Sequence, residues 1–251
     1  MAISSSWRGS VGIIKPTMRL GGIEEFIRLL PEGIGVLPLY VNIRKGTEEE
    51  FKSVLDHFEE KVKALAEVPV ELIHPEGAPP FMVHGFAGER EIVKRWEREY
   101  GVPIVTAPQT QVEAMRALGI RRIVGVSYFP GEINETFAKY FRDAGIEVLA
   151  MVGMDVQFDR VQNLSSHEVY AHTRKAFLEH PGADGIYMLG SGWKCTDILQ
   201  MMEDDFRVPV VHAQTARIWA IQNRLNVREP RTGYGRLLAE FPPPVEVALA
   251  H

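Results

Sequence analysis

The chain has 251 residues, of which 45% are hydrophobic and 24% charged, and a formal net charge of −5. These proportions fit a globular protein of one large domain or two small lobes and argue against a nucleic-acid-binding face. No apolar run approaches ~18 residues, so no segment is expected to cross a membrane. The single cysteine, Cys195, excludes an internal disulfide and a cysteine-cluster metal site.

In chain order, residues 11–16 read as a buried strand. Ile23, Phe26, Ile27 and Leu30 then mark the apolar side of a helix that Pro31-Glu32-Gly33 ends. Residues 34–41 form the next strand, and 48–66 one long amphipathic helix with Phe51, Val54, Leu55, Phe58, Val62 and Leu65 in its stripe. A strand over 69–73 follows. Glu76-Gly77-Ala78-Pro79-Pro80 has loop composition, and Phe81-Met82-Val83 reads as a short strand. Later come a helix over 111–118, a strand over 122–127, a helix over 132–143 and a strand over 146–152. The polar segment 153–164 reads as a loop over a cleft. A helix over 166–179 has Ser165 or Ser166 as its cap and Glu168 in its first turn. A strand over 185–189, a helix over 196–206 and a closing tail over 231–238 complete the pattern; the chain beyond Pro244 is expected to be loose. Alternating strands and helices predict an α/β fold with mainly parallel sheets flanked by helices. Residues 1–8 lack the apolar core of a secretory signal, so a cytoplasmic location is expected.

The same unit occurs twice. Val102-Pro103-Ile104-Val105-Thr106-Ala107 is echoed by Val208-Pro209-Val210-Val211-His212-Ala213, each followed by a helix. The strand starting at Val11 and running through Pro16 and Thr17 matches the one starting at Ile123 and running through Tyr128 and Phe129. Two glycine turns, at residues 84–88 and 190–192, are expected to complete the repeat. The repeat predicts two pseudo-symmetric lobes, 1–108 with 212–251 and 109–211, with a ligand cleft between them.

This layout, the helix carrying Trp219 and the ending Gly233-Tyr234-Gly235-Arg236-Leu237 resemble the arylmalonate decarboxylase and maleate cis-trans isomerase family of the aspartate/glutamate racemase superfamily. The resemblance spans roughly residues 10–240. It implies an enzyme that needs no cofactor, holds a small carboxylic or dicarboxylic acid between its lobes, and decarboxylates or isomerises it through an enediolate-type intermediate. It also implies a homo-oligomer. The family's second cysteine position falls on Gly190 and the first on His84 or Gly85; neither is cysteine, and Cys195 lies five residues past Gly190. Pro16 and Thr17 occupy the family's carboxylate-binding turn, and Arg19 the place of an asparagine found in maleate isomerases. Tyr128 matches the family tyrosine and Asn163 an asparagine before the second lobe's helix. Phe86 and Ala87 stand where arylmalonate decarboxylase has hydroxyl side chains.

Glycine turns that enter helices present free backbone N–H groups and a positive dipole end, so two such turns facing each other suit an anion. Among side chains, His84 is a candidate acid or base in place of a thiol. Its bland alternative is a histidine bonding a strand-end carbonyl. Cys195 is either a thiol activated by its helix start and by Lys194, or a buried inert one. Arg19 and Lys194 are candidate carboxylate partners or else solvated surface groups. Tyr128 and Ser191 offer hydroxyl donors, with a packing and a turn role as the alternatives. His212 ends the last Val-Pro strand, and its candidate role is to line the pocket. Gly85, Phe86, Ala87, Gly190 and Gly192 would supply backbone contacts. His167, His172, His180, Asp155 and Asp159 lack metal-site spacing, so no metal is expected. Two other functions fit the same residues: hydrolysis or hydration of a small cyclic or amide substrate with His84 activating water, and a non-catalytic acid-binding relative.

Overall fold

The computed structural model describes residues 6–245. Its first half runs β1 (Ser10–Lys15), α1 (Gly22–Leu29), β2 (Gly35–Tyr40), α2 (Glu48–Ser53), α3 (Leu55–Ala66), β3 (Leu72–Pro75), α4 (Pro79–Met82), α5 (Gly85–Tyr100) and α6 (Ala107–Ala117). The second half runs β4 (Arg122–Ser127), α7 (Ile133–Asp143), β5 (Glu147–Gly153), a 3-10 turn (Phe158–Asn163), α8 (Ser166–Glu179), β6 (Gly185–Met188), a second 3-10 turn (Thr196–Ile198), α9 (Leu199–Phe206), β7 (Val210–His212), α10 (Ala213–Arg224) and α11 (Arg236–Glu240). No helix among the described residues is long and apolar enough to cross a membrane.

Both sheets are parallel, in the orders β2-β1-β3 and β5-β4-β6-β7. Val11, Ile13 and Ile14 on β1 and Ile123, Val124 and Val126 on β4 are fully buried, as central strands covered on both faces must be. The first sheet lacks a counterpart of β7, but Ile104 forms a parallel bridge to Ile73 at that place. The repeat is therefore a hydrogen-bonding fact. Ile73 N–H donates to Pro103 O at 2.9 Å, and Ile186 N–H to Pro209 O at 3.0 Å. Glu97 accepts from Ile104 N–H at 2.9 Å, and Glu203 from Val210 N–H at 2.8 Å. Helices α6 and α10, which follow these segments, pack against each other and join the halves. Trp219 on α10 is fully buried and donates to Pro242 O at 2.9 Å, tying down the tail.

Several local expectations change, among them the loop over 153–164, which holds the 3-10 turn Phe158–Asn163. The helix over 48–66 is two helices, broken at Val54. Residues 196–206 begin with a 3-10 turn before α9. Phe81 and Met82 are helical, because Pro79 and Pro80 at the start of α4 suit a first helical turn and cannot supply strand N–H donors. The strand expected over 69–73 runs instead over Leu72–Pro75, β3. Ser165 caps α8 and forms a reciprocal pair with Glu168. The expected loose tail falls, from residue 246 on, outside the described residues, as do residues 1–5.

Candidate active site between the two sheets

Parallel sheets gather the carboxyl ends of their strands on one side, and here both sheets aim those ends at one cavity. It measures about 50 Å³, several times the room one water needs. Its walls come from the ends of β1 (Lys15, Pro16, Thr17), β3 (Glu76, Gly77) and β4 (Tyr128, Phe129), from the turn after β6, and from α6 and α10.

The turns after β3 and β6 are equivalent. Glu76 N–H donates to Ile14 O at 2.8 Å, and Leu189 N–H to Val126 O at 2.9 Å. The next residue is a glycine at φ 94° in each, Gly77 and Gly190, a conformation that disfavours any side chain. The first turn of the pair is therefore Glu76-Gly77-Ala78 rather than residues 84–88.

Glu76 anchors the site. Its buried carboxylate accepts from Lys15 Nζ at 2.8 Å and from Ser191 Oγ at 2.5 Å, and it pairs with Arg217 Nη1. Burial alone would raise its pKa, but Arg217 and Lys15 outweigh burial and hold the carboxyl well below the usual range. Burial draws Lys15 below its ordinary 10.5, with Glu76 opposing. Burial, reinforced by Arg217, takes His74 down to about 3, so its ring is neutral. The Tyr128 phenol is pushed up to about 12 by burial and stays protonated beside Gly190 and Gly192.

Cations dominate the lining: Lys15, Arg19, Lys194 and Arg217 against the single carboxylate of Glu76. Lys15 and Lys194 flank the start of α1, where Gly21 offers no side-chain cap. A Cβ at Gly22 would lie 3.3 Å from Lys15 Nζ, and one at Gly21 would run into Lys194. A helix start between two ammonium groups is a field for an anion. Arg19 stacks on the Phe158 ring at 4.2 Å and donates to the Phe158 carbonyl. Phe158 in turn stacks on Phe129 at 5.7 Å, so the 3-10 turn Phe158–Asn163 covers the cavity and contributes Phe158 and Gln162 to its lining.

Of the residues singled out in sequence, Pro16, Thr17, Arg19, Tyr128, Gly190, Ser191, Gly192 and Lys194 line this cavity. The others do not. His84 sits between the short helix α4 and α5, at the N-cap position but with no side-chain capping bond, and Gly85, Phe86 and Ala87 continue into α5. The Phe86 ring packs on Tyr140 at 5.6 Å instead. Asn163 is exposed and outside the lining, whereas its neighbour Gln162, also exposed, contributes to it. His212 is buried and caps α10, its Nδ1 accepting from Gln214 N–H at 3.1 Å. Cys195 is fully buried before the second 3-10 turn, and burial, with Glu25 and Asp197 nearby, pushes its thiol far up. It is no thiolate nucleophile.

Sequence reading missed Lys15, His74, Glu76, Gly77, Gln111 and Arg217, all in the lining. The signal that would have found most of them is the repeat itself: continuing the alignment of the Val-Pro strands sets Gln111 opposite Arg217, and aligning Ile73 with Ile186 sets Gly77 opposite Gly190. Among the described residues no three His, Cys, Asp or Glu side chains are grouped to hold a metal.

Fold and site define a two-sheet α/β protein with a cavity between its sheets whose lining is rich in basic side chains. Its fold is that of the maleate cis-trans isomerase from Nocardia farcinica bound to TRIS (TM-score 0.85, 18% identity, 92% of this chain and 98% of that one). A maleate isomerase from Pseudomonas putida S16 solved with maleate gives a TM-score of 0.82 at 20% identity, over 92% of this chain and 97% of the other. The arylmalonate decarboxylase of Bordetella bronchiseptica is 24% identical over 202 residues, 78% of this chain and 81% of that protein. The arylmalonate decarboxylase family model matches residues 25–238, and the chain belongs to that family.

Proposed function

We propose that the protein is a cofactor-independent enzyme acting on a small carboxylic or dicarboxylic acid, and that decarboxylation is its reaction. The observation that carries this is the charge balance of the cavity: four basic side chains and one carboxylate converge where the two glycine turns meet. The lobes closing on it are, in this reading, 1–108 with 212–251 and 109–211.

Decarboxylation needs no nucleophile. The electrons of the breaking C–C bond move into the remaining carboxylate, CO2 leaves, and the resulting enediolate takes a proton at carbon. Arg217 and Lys15 would hold the developing dianion, and the Tyr128 O–H would donate to one of its oxygens. Lys15, with its lowered pKa, would deliver the proton to carbon. An isomerisation that adds a thiol has no cysteine here: Gly77 and Gly190 are side-chain-free, and Cys195 does not line the cavity. A hydrolytic reading needed His84 as base, and His84 does not line the cavity either.

The test follows a panel of malonates and maleate in deuterium oxide. The expected outcome is CO2 release with one solvent deuterium at the α-carbon, and a kcat about 10²- to 10³-fold lower in Tyr128→Phe. Cys195→Ser should retain turnover. Protonated Lys15 is the active form, so kcat should fall as pH rises through a value below 10.5. Neither CO2 release nor deuterium exchange with any of these acids would sink the reading.

A further inference from the structure

Among the described residues, two uncharged side chains of the cavity lining each hold a polar atom without a hydrogen-bond partner, His74 Nε2 and Gln111 Nε2; the Nε of the charged Arg217 is a further such atom. Both side chains are fully buried. Their chemistry is opposite, and their other atoms fix it. His74 Nδ1 sits 2.7 Å from the carbonyl of Val105. A carbonyl only accepts, so Nδ1 carries the hydrogen and Nε2 presents a lone pair. Gln111 Oε1 accepts from the Tyr187 hydroxyl at 2.6 Å, which leaves its amide N–H groups free to donate. Gln111 is the repeat mate of Arg217, so a neutral amide stands where the other half of the repeat carries a guanidinium.

A buried acceptor and a buried donor left unpaired weaken binding of any ligand that covers them with apolar atoms. A ligand hydroxyl reaching both atoms would donate to His74 Nε2 and accept from Gln111. We infer that the substrate is a small hydroxy acid, whose hydroxyl lodges between His74 and Gln111 while its carboxylates face the basic groups. The inference rests on the acid-binding reading of the cavity; His74 and Gln111 act as specificity-determining residues within it.

Hydroxymalonate and methylmalonate differ by a hydroxyl against a methyl of similar size and make the probe pair. Calorimetric binding to the wild-type protein should favour hydroxymalonate roughly 10- to 100-fold, the factor set by burying unpaired polar groups. Gln111→Met should bring the two ligands level. Equal binding of both by the wild-type protein would overturn the inference, because the ligand hydroxyl would then not meet the two atoms. So would a preference that survives in folded Gln111→Met. Binding reads this inference and CO2 release reads the reaction. A hydroxyl preference without turnover therefore supports the former and sinks the latter; equal binding with turnover does the reverse.

Discussion

The two halves share a backbone and differ in charge. Gly77 and Gly190 adopt the same φ of 94°, and Pro103 and Pro209 accept equivalent hydrogen bonds. Around that common frame Lys15 stands opposite Ser127, Glu76 opposite Leu189, and Arg217 opposite Gln111. Lys15, Glu76 and Arg217 form one buried ion cluster, although they come from β1, the β3 turn and α10. A duplicated scaffold thus supplies a symmetric cradle, and side-chain divergence gives it direction: Arg217 brings a charge to the lining where its repeat mate Gln111 is neutral. The asymmetry belongs to the chemistry and the symmetry to the fold.

The largest effects should come from breaking the charged wall. Glu76→Ala leaves Lys15 and Arg217 buried without their counter-charge and should cost about 3–5 kcal/mol of stability, read by urea denaturation. Giving the charged wall the other half's residues (Lys15→Ser, Glu76→Leu, Arg217→Gln) should recover much of that loss while abolishing turnover, because buried ion clusters are replaceable for stability but not for function. The pH dependence separates the two proteins. The folded pKa of Glu76 is depressed, so its contribution is present above the ordinary glutamate value of 4.5 and is lost as pH falls below it. The wild-type protein should lose this contribution in acid, and the triple variant should lack that component. A triple variant as unstable as Glu76→Ala would show that the cluster is needed for more than mutual compensation.

The glycine pair gives the next effect. At Gly190 a Cβ would press into the Tyr128 phenol; at Gly77 it would approach Pro16 Cγ at 2.9 Å. Both positions also carry the strain of a positive φ, of order 1–3 kcal/mol for a non-glycine residue. Gly190→Cys, which places a thiol at the position the family resemblance assigns to a cysteine, should lower both stability and turnover, because Tyr128 must move. Gly77→Ala should be the milder change. A Gly190→Cys protein of wild-type stability and undiminished rate would remove the case for Tyr128 as the oxygen-binding donor.

These positions also show what could be read from sequence. The strand alignment from Val11 and Ile123 and the Val-Pro pair are local, apolar and repeated, and they are legible. The first glycine turn was misplaced because Phe81-Met82-Val83 looks like a strand, whereas the real strand holds a polar, fully buried His74 and ends in proline. The ion cluster is illegible for another reason. Its members lie 61 and 141 positions apart in sequence, and a charged residue carries no local mark of being buried. Lys15 at the end of an apolar strand and Arg217 in a helix of small and apolar residues were the available hints.

The smallest effect probes the frame rather than the site. Gly101 closes α5 at φ 69° and Arg207 closes α9 at φ 61°; both are left-handed caps, donating to the carbonyls of Glu97 and Glu203 at 2.9 and 3.0 Å. The left-handed conformation disfavours a residue with a Cβ by about 1 kcal/mol. Both positions are exposed, and nothing lies within 4 Å of a Cβ built on Gly101, so side-chain contacts do not obscure the comparison. Arg207→Gly relieves that strain but gives the unfolded chain more freedom, so the net gain should stay below about 1 kcal/mol. Gly101→Arg makes the opposite exchange at the equivalent cap and should lose about as much. For a chain of this size such changes shift Tm by roughly 2–4 °C, in opposite directions for the two variants. Shifts of the same sign would mean that the two caps, alike in backbone, are not equivalent in energy.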